Sequence, residues 1–436
     1  MVRSISLKLR TKLILGLWFS TCLLWFVYRG PYRQIFVTHG PDFATIYAAT
    51  RLWLDHDNPY NDAATLAPVR QAAAGEWARL GPPERLPSSV YLPTVFPVIA
   101  TFAWLPWAAA NLLWCLLSIA AFLLLPVAIV RDSRLAPAAR WLLAGAIFAF
   151  FPAASGTSSG NPVIVAYGLV ALTLYFAFSG NPIISGILLG VACALKPQLS
   201  ICAVGVLLLW RCWQPLFIGF GVWLGTLIAS VLRADSIAQY RFWLMSLEHN
   251  LSQIMAPGGI NDPRPTNYYS YHLLNTQAIA GVFVQDRLAL NAIVGVVTVG
   301  LLLLYLRLRT LSPTLCRWRD PAFFSAWTLL LVYHRYYDAT LLLLIVPYLL
   351  RNWSSNKVTV AALSICLALL AFPLQAALEL RLGAPDSAHS VVDFVLFRHQ
   401  PLLVLAICLL LIPWPAWAAG APNDLGTPIT PEFAPR

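Results

Sequence analysis

The chain has 436 residues, of which 59% are hydrophobic and 11% are charged, and its mean hydropathy is +0.70. A soluble protein carries about 25% charged and about 45–50% apolar residues, so these values exclude a soluble multidomain enzyme. They also exclude a disordered chain, which combines low hydrophobicity with high charge. Apolar runs recur from residue 13 to residue 417. The sequence therefore predicts an all-α, polytopic membrane domain over 1–417.

Taken in chain order, the apolar runs predict twelve membrane-spanning helices, several of them with ends that extend into the loops. They lie near 13–28, 109–130, 141–152, 163–179, 183–195, 198–210, 215–232, 287–306, 321–333, 339–350, 358–374 and 400–417. No small-residue cleavage site follows the first run, so we expect a retained helix rather than a signal peptide. The stretch 92–107 is apolar but contains three prolines, and we expect it to be re-entrant or interfacial.

The basic residues indicate how the chain is oriented, because short cytoplasmic loops carry an excess of Lys and Arg. With both termini cytoplasmic, the cytoplasmic segments hold the whole net charge of +11. The basic balance therefore reports topology, and we infer no nucleic-acid partner from it. The long outer loops are then 29–91, 233–286 and 375–399, and the tail 418–436 is predicted to be disordered.

All seven His residues and most of the acidic residues fall on the predicted outer side. This distribution suggests a site that works from the extracytoplasmic face of a plasma (inner) membrane. The alternative is that outer loops are simply where polar residues are tolerated.

The first outer loop contains Asp42 at the start of a segment, 43–54, whose apolar residues have helical spacing. The pattern predicts an amphipathic helix on the membrane surface. A carboxylate at that position can cap the helix and interact with its positive end. It is equally placed to deprotonate an acceptor hydroxyl at the boundary between water and lipid. Both interpretations remain open at this point.

Two further segments place ionisable residues at a membrane boundary. Lys196 is the only lysine between residues 13 and 356, and it lies at the outer end of the fifth span. A lone lysine there either snorkels to the interface or neutralises a lipid phosphate. His334, Arg335 and Asp338 occupy a short connection between two apolar spans. Ionisable residues at membrane depth are costly and favour a functional interpretation.

These segments, in this order, resemble glycosyltransferase family 87, the polyprenyl-phosphate-mannose-dependent α-mannosyltransferase-like membrane enzymes of the GT-C superfamily. The resemblance covers roughly residues 40–350. It rests on Asp42, Phe43, Tyr47, Ala49, Pro59 and Tyr60, on the block YLPTVFPVIATFAWLP, on Gly160 and Asn161, on Gly186, Gly190, Lys196, Pro197 and Gln198, and on the His334 region. The family usually has Gly-Gln where this chain has Gly160-Asn161, and often a Ser-rich Trp-His-His type run in place of Val-Tyr-His-Arg.

The resemblance implies a GT-C-like bundle of about twelve transmembrane helices, counted from the apolar runs above. It implies transfer of a hexose, mannose first, from a polyprenyl-phosphate donor to a hydroxyl of a lipid-linked or envelope glycan. Asp42 would be the general base and His334 would orient the acceptor or donor, while Lys196 and Arg335 are candidates for the donor phosphate. Further candidate substrate-binding residues are Asn161, Gln198, Tyr60 and His272.

No acidic metal-binding motif such as DxD is evident, so we expect no cofactor and no obligatory metal. Asp55, Asp57 and Asp62 lie near Asp42 in the sequence, but their spacing is more typical of solvated turn residues.

Three other classes of protein compete with this interpretation. The main alternative is a polytopic transporter or flippase for a lipid or glycan, which would show paired interrupted helices and charges at the bilayer midplane. A transferase that uses a diphosphate carrier would need several arginines in one large outer loop. A structural protein would not need Asp42, Lys196 and His334 at one rim.

Overall fold

The computed structural model describes residues 2–61, 89–133, 135–265, 267–311, 317–353, 356–372, 374 and 391–414. The predicted tail 418–436 and parts of the predicted outer loops 29–91 and 375–399 lie outside the described residues. Within them the chain is helical and has no β-strand, and an isolated antiparallel bridge joins Leu273 to Arg335. The all-α class is therefore confirmed.

The first half of the described chain forms helices that are separated by short breaks. They are α1 (Val2–Val27), a π-helical turn (Tyr28–Tyr32), α2 (Arg33–Phe36), α3 (Pro41–Leu54), α4 (Val95–Ala103), α5 (Trp107–Arg131), α6 (Pro137–Phe148), α7 (Phe151–Ser159), α8 (Val163–Phe178), α9 (Pro182–Leu195), α10 (Pro197–Leu209) and α11 (Trp213–Leu232).

The second half continues in the same way, with two 3₁₀ segments among the α-helices. It contains α12 (Ile237–Met255), a 3₁₀ turn (Tyr268–His272), α13 (Thr276–Ala280), α14 (Arg287–Thr310), α15 (Arg319–Leu331), a 3₁₀ helix (Tyr336–Ile345), α16 (Val346–Asn352), α17 (Lys357–Ala371), α18 (Val391–Phe397) and α19 (His399–Leu411).

The number of membrane crossings differs from what the apolar runs predict. In the described part, four helical stretches are long and apolar enough to cross a membrane, within 9–54, 107–131, 213–232 and 287–310. A fifth results if α6 and α7, which are bent by 44°, count as one span. Each predicted span does contain helix, but many of these helices are short. A 13-residue helix such as α10 rises only about 20 Å, less than the roughly 30 Å of a bilayer core. The prediction of twelve crossings is not confirmed.

Prolines and glycines account for many of the breaks. Pro41, Pro137, Pro182 and Pro197 each occupy the first turn of a helix. Proline lacks a backbone N–H donor and has a fixed φ, which suits the first turn of a helix, where the N–H groups have no partner within the helix. Each of these prolines therefore marks the start of a new helix. The segment 92–107 contains the nine-residue helix α4, which is too short to cross the membrane, and ends at Trp107, the first residue of α5.

Helix α3 is present where the sequence predicts a helix, but its environment differs from the prediction. Every residue from Phe43 to Thr50 is buried, so the helix is enclosed rather than lying with one apolar face on the membrane. Phe43 stacks on Trp114 with ring centroids 4.8 Å apart, and the Tyr47 hydroxyl donates to the Leu105 carbonyl at 2.8 Å. The alanine and threonine side chains of α3 are small, which lets neighbouring helices pack close to it.

A buried polar cluster lies at the end of the bundle that the sequence predicts to be cytoplasmic. Buried Asp320 accepts hydrogen bonds from the Tyr305 hydroxyl at 2.6 Å, from Arg309 Nε at 2.9 Å and from Trp210 Nε1 at 2.8 Å. These residues come from the ends of α10, α14 and α15. The cluster therefore ties three helices together at the end that the sequence predicts to be cytoplasmic.

Candidate functional site

Two glycines bring the start of α3 against the end of α7. Gly40 and Gly160 both have positive φ angles, of 59° and 65°, which glycine adopts without strain. A Cβ added to Gly160 would stand 2.8 Å from the Cβ of Phe43 and 3.3 Å from the Cα of Gly40. This contact places Asp42, two residues after the first glycine, beside Asn161, which directly follows the second.

The polar side chains of four separate chain segments form one continuous hydrogen-bonded network. Asn161 Nδ2 donates to Asp42 Oδ2 at 2.8 Å, and Lys196 Nζ donates to Asn161 Oδ1 at 3.0 Å. The same ammonium forms an ion pair with Asp338 Oδ1, and Asp338 Oδ2 lies 3.1 Å from His334 Nδ1. Asn161, Lys196, Asp338 and His334 are all buried, so the network is shielded from solvent.

The backbone breaks explain why these side chains converge. Lys196 lies between α9 and α10 with an extended backbone, and Pro197 starts the next helix. Asp338 caps the 3₁₀ helix, because its Oδ2 accepts from the Arg335 amide at 3.0 Å. A residue between two helices can point its side chain in a direction that is not available inside a continuous helix. The site is therefore built from helix ends.

Asp42 keeps part of its carboxylate available. It lies in the first turn of α3, is only half-buried, and uses Oδ2 for Asn161. Its Oδ1 makes no hydrogen bond with the described residues. The residue that precedes the helix is Gly40, and Asp42 makes no capping bond. The interpretation of Asp42 as a simple helix cap is therefore wrong, although its charge still lies near the positive end of α3.

His334 is fully buried and has one unpaired nitrogen. A carboxylate only accepts hydrogen bonds, so Nδ1 of His334 donates to Asp338. The other ring nitrogen, Nε2, is buried and has no hydrogen-bond partner among the described residues. Nε2 is therefore left for a hydrogen bond with a group that enters the site.

Aromatic hydroxyls and a second cation surround the network. Lys196 Nζ lies 5.0 Å from the centroid of the Tyr337 ring. Burial raises the pKa of the Tyr91 hydroxyl well above its usual value, and the charges of Asp42 and Asp338 add to this effect. Tyr91 is therefore a neutral donor at physiological pH. Arg335 Nη2 donates to the Ile260 carbonyl at 3.2 Å and makes no ion pair with the described residues.

The loop between α12 and α13 packs against this region. Asp262 accepts from Arg264 Nε at 2.9 Å and from the Gly258 amide at 2.8 Å. Burial alone would raise the pKa of Asp262, but these hydrogen bonds and the charge of Arg264 hold it below its usual value. The Leu274 amide donates to the His334 carbonyl at 2.8 Å. The loop is thus internally fixed and joined to the segment that carries His334.

Most of the residues that the sequence singled out come together. Asp42, Asn161, Lys196 and His334 belong to the network, and Arg335 adjoins it. The remaining three are Gln198, Tyr60 and His272. Gln198 is partly exposed two residues beyond Lys196, and Tyr60 is buried with its hydroxyl on the Tyr91 carbonyl at 2.8 Å. His272 ends the 3₁₀ turn beside the bridge to Arg335.

Asp338 was singled out from the sequence together with His334 and Arg335, but without a role of its own, although it lies between Lys196 and His334 in the network. Its spacing of four residues from His334 is the signal that could have linked the two. No signal in the sequence pairs Gly40 with Gly160, because that contact spans 120 residues. Within the described ranges, no group of three or more His, Cys, Asp or Glu side chains is arranged to hold a metal ion.

A family model described as glycosyltransferase family 87 matches residues 90–333, which is more than half of the chain. The chain belongs to glycosyltransferase family 87. It is therefore a membrane glycosyltransferase, which favours the transferase over the transporter among the alternatives above. No curated protein and no solved structure matches it. Of the candidate residues, Asn161, Lys196, Gln198 and His272 lie inside the matched range, whereas Asp42, Tyr60, His334 and Arg335 lie outside it.

Proposed function

We propose that this family 87 glycosyltransferase moves a hexose, mannose first, from a polyprenyl-phosphate donor to a hydroxyl of a lipid-linked or envelope glycan. The observation that carries the proposal is the buried network from Asp42 to His334. It leaves an oxygen of Asp42 and Nε2 of His334 without partners among the described residues. A carboxylate and an imidazole, each with an atom left for a substrate, are groups that acid–base chemistry on a hydroxyl uses.

The reaction is an inverting displacement at the anomeric carbon of the sugar. The acceptor hydroxyl oxygen forms a bond to this carbon while its proton passes to Asp42 Oδ1. The bond between the anomeric carbon and the phosphate oxygen breaks, and its electron pair leaves with the polyprenyl phosphate. A β-linked donor then gives an α-linked product. No metal is needed to balance this step.

Asn161 and Lys196 orient the base. Asn161 Nδ2 holds Oδ2 of Asp42, and Lys196 holds the amide of Asn161 in the orientation that donates. The free Oδ1 is thereby turned toward the acceptor. Preorganised polar groups of this kind contribute to catalysis because they need no rearrangement in the transition state.

Arg335 is the main candidate for the donor phosphate, since its guanidinium makes no ion pair in the described part of the chain. Arginine also binds phosphate oxygens in a bidentate manner. Lys196 has three donors and uses two of them for Asn161 and Asp338, so a third remains for a phosphate oxygen. The two cations together would offset the charge that develops on the leaving phosphate.

We place this chemistry on the extracytoplasmic face of a plasma (inner) membrane. The support is the distribution of charge, because the segments predicted to be cytoplasmic contain the whole net charge of +11. The four segments of the network are all predicted to lie on the opposite side. The outer leaflet would supply both the lipid-linked donor and the glycan acceptor.

The test is sugar transfer by the purified full-length protein in nanodiscs, with radiolabelled polyprenyl-phosphate mannose and a total lipid extract as acceptor. Asp42→Asn keeps the shape of the side chain and removes the base. Asp55→Asn is the matched control, because Asp55 is an exposed carboxylate at the other end of the same helix.

We expect wild type and Asp55→Asn to transfer mannose, and Asp42→Asn to lose at least about 100-fold in kcat, at the low end of what a general base contributes. Transfer that survives in Asp42→Asn would remove Asp42 as the base. Glucose and arabinose donors test the choice of sugar. No transfer from any of the three would overturn the proposed donor class.

A further inference from the structure

Among the arginines in the described part of the chain, Arg398 is the most deeply buried. It lies between α18 and α19, in a part of the chain that the sequence predicts to be an outer loop and an ordinary span, and it is 1% exposed. Burial lowers the pKa of Arg398 to about 10, so the guanidinium remains charged at neutral pH. A buried charge is costly unless hydrogen bonds satisfy it. The partners of Arg398 therefore indicate what it does.

The side-chain hydrogen bonds of Arg398 with the described residues all go to one loop. Nη1 donates to the Ser270 carbonyl at 2.6 Å, and Nη2 donates to Ser270 Oγ at 3.0 Å and to the Pro263 carbonyl at 3.3 Å. The guanidinium also lies over the Tyr271 ring, 4.8 Å from its centroid. The two terminal nitrogens of the planar guanidinium reach these acceptors at the same time, whereas Nε is buried and has no hydrogen-bond partner among the described residues.

The same loop also forms hydrogen bonds with His334 and Arg335 of the candidate site. The Leu274 amide donates to the His334 carbonyl at 2.8 Å, and Leu273 forms the antiparallel bridge to Arg335. The Ile260 carbonyl accepts from Arg335 Nη2 at 3.2 Å. Residues of the loop 260–274 therefore contact both Arg398 and the pair His334 and Arg335.

We infer that Arg398 is a positioning residue for the transfer reaction: it fixes the loop 260–274, which in turn fixes His334 and Arg335. This inference rests on the proposed function, in which these two residues contact substrate. Arg398 itself contacts neither substrate nor the reacting atoms. Displacement of a catalytic group by about 1 Å costs on the order of 100-fold in rate, so a residue that fixes such groups affects kcat without touching the substrate.

Three variants test the inference with different severity. Arg398→Gln removes the charge and the fork, whereas Arg398→Lys keeps the charge but offers a single point donor. Ser270→Ala removes the hydroxyl acceptor and leaves the backbone carbonyl. We therefore expect this variant to fold even if the arginine variants do not. Arg309→Gln is the matched control, because Arg309 also makes several side-chain hydrogen bonds but lies at the opposite end, on Asp320.

Two measurements separate positioning from a general loss of structure. Hydrogen–deuterium exchange reports the loop directly and does not depend on activity, and steady-state transfer gives kcat and the donor KM. We expect faster exchange over 260–274 in Arg398→Gln, a kcat about 10- to 100-fold lower, and a smaller loss in Arg398→Lys. Ser270→Ala should lose about 2- to 5-fold, the effect of one hydrogen bond. Arg309→Gln should change neither the exchange of the loop nor kcat.

A double-mutant cycle with Arg335→Gln completes the test. If Arg398 acts through Arg335, the fold-loss of kcat in the combined variant is smaller than the product of the two single fold-losses. For Arg309→Gln combined with Arg335→Gln, the fold-loss of kcat should equal that product. Unchanged exchange over 260–274 in Arg398→Gln, or an unchanged kcat in an active enzyme, overturns the inference. An inactive wild type would instead contradict the proposed function, and the exchange measurement would still decide whether Arg398 fixes the loop.

Discussion

Lys196 and Asp338 form a buried ion pair that joins the break between α9 and α10 to the start of the 3₁₀ helix after α15. Their side chains are only 6% and 3% exposed. Each of the two also contacts a further member of the network, Asn161 for the lysine and His334 for the aspartate. The pair is therefore the central connection of the network, because it links the Asn161 side to the His334 side.

Breaking this pair from one side should be more harmful than removing both charges. Lys196→Met or Asp338→Asn leaves one buried charge unpaired, which costs about 3–5 kcal/mol. The double variant should be more stable than the sum of the single effects predicts. The apparent unfolding temperature by tryptophan fluorescence, in one detergent, measures this. Strict additivity would contradict it. Arg309→Met is the control, because it removes a partner of buried Asp320 at the other end of the bundle. It should lower the unfolding temperature and leave sugar transfer unchanged.

Asn161→Asp should move the pH dependence of transfer. It places a second carboxylate within hydrogen-bond distance of Asp42, and two adjacent carboxylates resist ionising together. Activity should then be lost at a higher pH on the acid side of the profile, while the alkaline side stays unchanged. The measurement is kcat against pH. Asn181→Asp is the matched control, since the Val163 amide donates to Asn161 Oδ1 at 3.0 Å and the Ile184 amide likewise donates to Asn181 Oδ1 at 3.2 Å. An acid limb that does not move would separate Asn161 from the base.

Arg335→Gln should weaken the donor more than the acceptor. Loss of a charged hydrogen-bond donor to phosphate costs about 1.5–3 kcal/mol, which corresponds to roughly 10- to 150-fold in kcat/KM for the donor. Steady-state kinetics with donor and acceptor varied separately will show this. Arg241→Gln, at an exposed arginine of α12, should behave as wild type. An increase confined to the acceptor KM would assign Arg335 to the other substrate.

Gly160→Ala should separate α3 from α7 and reduce transfer. Its φ angle is 65° and the new Cβ would lie 2.8 Å from the Cβ of Phe43, so backbone strain and overlap both oppose it. Gly258→Ala is the matched control, because Gly258 has a φ of 78° but no atom within 4 Å of the added Cβ. The control should lose only about 1–2 kcal/mol of stability from the left-handed backbone. Equal losses of stability and activity in the two variants would contradict the role of the contact.

The sequence by itself predicted the class of the protein and most of the residues that meet in the candidate site. Apolar runs predict helices because burial in lipid requires apolar side chains and satisfied backbone groups. The rarity of ionisable residues at membrane boundaries pointed to Asp42, Lys196 and His334. These predictions rest on local properties of the chain, so a single sequence suffices for them.

The lengths of the helices and the arrangement of the site were decided only by the tertiary structure. Glycine and proline interrupt apolar runs without a change in hydropathy, which is why the predicted spans contain short helices. The amphipathic pattern of 43–54 did not show that α3 is enclosed, because its small residues pack against helices distant in the sequence. The contact of Gly40 with Gly160, the pairing of Lys196 with Asp338 and the bonds of Arg398 to the loop 260–274 join residues more than 100 positions apart. Such contacts follow from the packing of the whole bundle, and no local pattern encodes them.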